Sequence, residues 1–245
     1  MKTLYLAWQA PSRAWFPIGR LDADVEKPHY EFRYTQGVLR AGREAGLSFL
    51  PAFPDLHAAY KSSELFPVFT NRLLGRHRKD FTEYVRSLGM DPASPDPIAI
   101  LGVTGGERQT DSLEVFPKLE TNSQHQFCCR FFLHGLRHMT PEAQARALAL
   151  KAGESLQVSI ELNNPTHQLA IQLQTGDYNF IGWSPRYLAD DLVQAANTDH
   201  AVIAAKVVRI NDADVPLNRR ILVELTGSLP PDYQPMSGDD FIALH

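Results

Sequence analysis

The chain has 245 residues, 44% hydrophobic and 21% charged, ordinary globular usage with enough apolar surface for one large or two small packed domains. A formal net charge of −4 excludes a broadly basic coat for nucleic acid, so any such binding has to come from a local pocket. The only two cysteines, Cys128 and Cys129, are adjacent and in an extended segment would point to opposite faces; this excludes a disulfide framework and suggests a reducing compartment.

The opening MKTLYLAWQAPSRAWFP has too short an apolar run for a signal peptide, and no run reaches the ~20 residues of a membrane-spanning helix. A cytoplasmic location with no membrane partner is therefore expected. TLYLAW and HYEFRYT predict strands, with Pro17 and Gly19 expected to break WFPIGRL between them. SSELFPVFTNRLL carries a helical stripe at Leu65, Phe66, Phe69, Leu73 and Leu74, with Pro67 early, where its missing N–H is best tolerated. RKDFTEYVRSLG predicts a second helix ending at Gly89. MDPASPDP, residues 90–97, holds three prolines and is the expected linker. IAILGV and SLEVFP are expected as two strands joined across TGGERQTD, and TNSQHQ as a loop.

The remainder has a regular rhythm. FCCRFFLHGL predicts a strand. TPEAQARALAL predicts a short helix with Thr140 as N-cap and Pro141 in the first position. SLQVSIEL and LAIQLQT alternate as strands about the turn NNPTH, and YNFIGW is a further short strand. SPRYLADDLVQAA repeats the capping device with Ser184 before Pro185. HAVIAAKVVRI and RRILVELTG close the set. Short strands with two short helices predict a small closed barrel of SH3-like or OB-like kind.

The stretch HGLRHM places His134 and His138 four apart. That spacing suits one metal ion only on a helix. On the strand expected here the two would stand roughly 13 Å apart, so no metal and no cofactor are expected. LGVTGGERQT lacks the lysine of a phosphate loop and reads as a turn at Gly105–Gly106. There is no nucleophile elbow. Cys128 and Cys129 lack an activating group, so they read as structural. No catalytic constellation is visible.

Three short stretches occur in a telling order: GLRHM at a strand end, NNPTHQLAI turning into a strand, and FIGWSPRYLADDL running into a helix. Together they resemble the HIRAN domain family over about residues 126–229. The resemblance implies a small β-barrel with two helices that captures single-stranded DNA or a DNA end in a pocket. A basic side chain would hold a phosphate, aromatics would stack on a base, and a carboxylate would meet the terminal hydroxyl. Carried over residue by residue, Arg137 matches the family arginine and His138 stands where an aromatic stands. Asn164 matches the turn, while Thr166 and His167 replace the family's tyrosine and aspartate. Trp183, Arg186 and Tyr187 fall at the last turn, where the two aromatics supply replacement stacking surface. The competing expectation is that Arg137 pairs with an acid while Trp183 and Tyr187 pack the barrel.

YLAWQ, FPIGRL, YEFRYT and SSELFPVFTNRLL resemble the N-terminal subdomain of HipA-type kinases over residues 3–88, carried by Phe66, Phe69, Asn71, Leu73 and Leu74; the kinase core has no counterpart here. The expected organisation is an α+β, mainly β chain: a HipA-like module with two helices over 1–95, connecting strands over 96–124, a HIRAN barrel over 125–230 and a tail over 231–245. The expected function is non-enzymatic nucleic-acid binding in DNA repair, genome maintenance or defence. The alternative is a protein-interaction module that regulates a HipA-like kinase, and a metal-dependent hydrolase is a third, with no site in view.

Overall fold

The computed structural model describes residues 1–166, 168–197 and 203–245. The chain is α+β with more strand than helix, and it divides into two units. The first unit comprises Met1–Val85, Asp91–Lys118 and Met236–His245; the second comprises Arg86–Met90 and Leu119–Pro235. Among the described residues, no helix is long and apolar enough to cross a membrane.

The first unit is built on an antiparallel sheet of five strands: β1 (Lys2–Gln9), β2 (Trp15–Asp24), β3 (His29–Tyr34), β4 (Tyr60–Ser62) and β5 (Leu113–Pro117), in the order β4-β3-β2-β1-β5. Leu4 to Ala7 of β1 are all buried, so this strand is covered on both faces. Pro17 and Gly19 do not interrupt WFPIGRL. β2 runs through them, and the register shifts by one residue there, Leu6 facing Gly19 and Ala7 facing Pro17. The bulge leaves Ile18 as the extra residue and absorbs the donor that Pro17 lacks.

The helices depart further from expectation. Helix α1 (Gln36–Ala45) was not foreseen; it buries Gly37, Val38 and Ala41 and ends on left-handed Gly46. Its buried stripe is made of small residues while Gln36, Arg43 and Glu44 face outward, so the helical period is carried by polar residues and not by an apolar run. The helix expected across SSELFPVFTNRLL is only the single turn α2 (Pro67–Thr70), so Leu73 and Leu74 lie beyond it. Helix α3 (Phe81–Ser87) forms as expected, with Gly89 in a left-handed conformation after it. IAILGV is not a strand. It lies in helix α4 (Pro97–Thr104), whose N-cap Asp96 accepts a hydrogen bond from the Ile98 amide at 2.8 Å, with left-handed Gly105 at its other end. TGGERQTD therefore joins a helix to a strand. An apolar run buried all round has no amphipathic period, and the Asp-Pro pair before it was the missed signal.

The second unit is a six-stranded antiparallel sheet of β6 (Gln126–Phe132), β7 (Ser155–Asn164), β8 (Gln168–Thr175), β9 (Phe180–Trp183), β10 (Ala204–Ile210) and β11 (Ile221–Ser228), in the order β6-β11-β10-β7-β8-β9. Its edges meet in one place, an antiparallel bridge between His134, just past β6, and Trp183 of β9. Helix α5 (Pro141–Leu148) is capped as expected, the Thr140 hydroxyl accepting from the Ala143 amide at 3.2 Å. The second capping device is not used. Ser184 and Pro185 lead into a 3-10 turn, Arg186–Leu188, and α6 (Ala189–Ala196) then starts without a side-chain cap. Residues 200–202 of the strand expected at HAVIAAKVVRI lie outside the described residues.

Candidate nucleic-acid interface

The stretch HGLRHM is not a strand. After the His134 bridge the chain takes a left-handed step at Gly135 and closes a 3-10 turn, Leu136–His138. The strand spacing expected for His134 and His138 therefore does not apply. Backbone hydrogen bonds of 3.0 Å run both ways between His134 and Trp183. Two glycines permit this junction. Gly135 (φ +79°) lies against the Trp183 indole, and a Cβ there would overlap the ring. At Gly182 (φ +147°) a Cβ would overlap the His134 carbonyl oxygen. Only a residue without a side chain fits either place.

The junction presents Trp183 half-buried, with Phe180 edge-on to it at 4.8 Å between ring centroids. The indole Nε1–H donates to Glu161 Oε2 at 2.8 Å, and Asn164 Nδ2 donates to the same oxygen at 3.0 Å. Asn164 Oδ1 in turn accepts the Thr166 amide at 3.0 Å, fixing the start of the β7–β8 turn. Glu161 thus gathers Trp183, Asn164 and, through Asn164, Thr166. Hydrogen bonds from Trp183, then Asn164 and Gln172, hold its carboxyl below the usual glutamate range against the opposing effect of desolvation. Sequence reasoning missed Glu161. The available signal was an acid three residues before Asn164, on a strand that otherwise alternates apolar residues with uncharged polar ones.

The basic residues border this cluster. Arg137 and His138 are exposed on the 3-10 turn, and Arg137 Nε donates to His138 Nε2 at 3.0 Å. That is the one hydrogen bond of Arg137 among the described residues, so it does not pair with an acid there. Arg186 is half-buried, and its positive charge reaches His134. Desolvation first and Arg186 second push the His134 imidazole below its usual range, while its open position lets water moderate the effect. Tyr187 is half-buried beside Arg186. His167 lies outside the described residues. The structure therefore brings Asn164, Thr166 and Trp183 together, pairs Arg137 with His138, and sets Arg186 near His134.

The cysteines sit apart from this surface, opposite Thr226 and Leu225 of β11. Burial pushes both thiols up, Cys129 most, so neither is a ready thiolate at neutral pH. Among the described residues, no three His, Cys, Asp or Glu side chains group to hold a metal ion.

No family model matches this chain, and no curated protein matches it. Two solved structures are similar to part of it. One is a protein from Lactobacillus plantarum, 14% identical, with a TM-score of 0.34 over 43% of this chain and 99% of that one. The other is the HIRAN domain of human HLTF, 20% identical, with a TM-score of 0.31 over 42% of this chain and 74% of that one.

Proposed function

We propose that the second unit binds nucleic acid, as single-stranded DNA or a DNA end, and that it acts by binding rather than by chemistry. The observation that carries this reading is the junction of His134 with Trp183. It presents an aromatic ring held from one side by Glu161, with Arg186 reaching His134 and with Arg137 and His138 following on the next turn. A ring that stacks and cations that hold phosphates are the two parts of single-strand recognition. The family resemblance of GLRHM, NNPTHQLAI and FIGWSPRYLADDL implies that role for Trp183, Arg186, Arg137 and His138. The net charge of −4 fits a pocket that takes one or two phosphates rather than a long electrostatic groove.

The test is fluorescence anisotropy of the full chain with labelled single-stranded DNA at low salt, comparing free and blocked 3′ ends. Saturable binding is expected. Equal affinity for both ends would assign the site to the strand rather than its terminus. The absence of saturable binding to either would sink the reading.

A further inference from the structure

We propose that Glu161 is the positioning residue of this interface: its carboxylate holds the Trp183 ring and the β7–β8 turn in one arrangement, and without it both are released. The consequence for DNA rests on the function proposed above. The consequence for the ring and the turn does not.

Glu161 Oε2 accepts from donors on two different elements, the Trp183 indole on β9 at 2.8 Å and the Asn164 amide at the end of β7 at 3.0 Å. The register of β7 against β8 shifts between Glu161 and Asn164, and the ladder resumes at the Asn164–Gln168 pair, which brackets the turn without fixing its Thr166 amide. Asn164 does so by accepting the Thr166 amide at 3.0 Å, and Glu161 holds Asn164. On the other side, the Trp183 ring rests on the backbone of Gly135, which offers it no side-chain partner. Phe180 meets the ring edge-on, and the indole N–H bond to Glu161 is the side chain's one hydrogen bond among the described residues. Among the described residues Glu161 makes no ion pair, and its carboxylate accepts there from neutral donors. Among the described residues the side chains facing it are Trp183 from β9, Asn164 from the end of β7 and Gln172 from β8, none of which titrates in acid; His134, paired with Trp183 across the edge, is the neighbouring base. An acceptor that bears a charge makes stronger hydrogen bonds than a neutral one.

The experiment uses the full chain labelled with ¹⁵N-tryptophan, and its Trp183→Phe variant identifies the Trp183 indole signal. In the wild type this signal should move as pH falls through a value below the ordinary glutamate range. In Glu161→Gln, which keeps an acceptor but not the titrating group, that movement should vanish while any response to His134 persists. In Glu161→Ala the signal should shift at neutral pH and exchange faster with water, and single-stranded DNA affinity should fall about ten-fold or more, with partial recovery in Glu161→Gln. An indole signal in Glu161→Ala that matches the wild type would overturn the proposal, as would the same acid titration in Glu161→Gln. A released ring with DNA affinity unchanged would also overturn it. If the wild type binds no DNA, the functional reading fails, and the indole measurements alone decide whether Glu161 holds the ring. Should Glu161→Ala fail to fold, the pH response of Glu161→Gln carries the test.

Discussion

Gly182 and Gly135 are required where they stand because a side chain at either would occupy the space of the His134–Trp183 junction. Gly182→Ala should therefore cost about 1–3 kcal/mol in the stability of the full chain by chemical denaturation. Gly176→Ala, where an added Cβ meets nothing within 4 Å, is the control and should cost far less. Equal effects would mean that the junction does not depend on the close approach. Arg137 is exposed and bonded only to His138 among the described residues. Arg137→Ala should leave the fold intact while weakening single-stranded DNA by about 1–3 kcal/mol and lowering the salt slope by about one. An unchanged affinity in the folded variant would remove Arg137 from the interface. At this scale the sequence showed which residues the family resemblance singles out. It did not show Glu161, because an acid on an exposed strand face looks like an ordinary solvated residue until its partners are known.

Among the elements, β11 shows how a charge can be structural. Glu224 lies between its cross-strand neighbours Arg130 of β6 and Lys206 of β10, both within 2.7 Å of it. Lys206 first, then Arg130, hold the Glu224 carboxyl below its ordinary value of 4.5, against the opposing effect of burial. A depressed carboxyl stabilises the fold above its unfolded value, and that contribution is lost as pH falls through the folded value. Glu224→Gln should cost about 1 kcal/mol near neutral pH. The gap from wild type should close on acidification below about pH 4.5, as thermal denaturation across pH would show. A constant gap would refute the pairing. Other elements show where a sequence is easy to read and where it is not. The alternation of SLQVSIEL and LAIQLQT and the Thr-Pro cap of α5 are local signals, and they were legible. Helix α4 was not, because every face of IAILGV is covered and burial erases the period. The stripe in SSELFPVFTNRLL predicts more helix than forms, since Leu73 and Leu74 fit it but lie beyond the single turn of α2.

For the whole molecule, the last residues belong to the first unit. Thr35 bridges Ala243, the Leu244 amide donates to the Tyr34 carbonyl at 2.8 Å, and Phe241 meets Tyr5 at 4.9 Å between rings. Arg40 also pairs with Asp240. These long-range contacts bind the chain end to an early strand and helix, and no local pattern announces them. Truncation after Pro235 should lower the stability of the first unit by about 2–4 kcal/mol, through lost apolar burial and lost backbone bonds. Hydrogen exchange localised to β1, β3 and α1 would report it, and single-stranded DNA binding should persist. Loss of binding with the second unit still protected would place part of the interface in the first unit. The central claim is that the junction between His134 and Trp183 is a nucleic-acid site, and its most direct measurement is hydrogen exchange of the full chain with and without single-stranded DNA. Slower exchange confined to residues 134–138, 164–166 and 183–187 is the predicted result. Slowing confined to the first unit, or no change anywhere at saturating DNA, would contradict it.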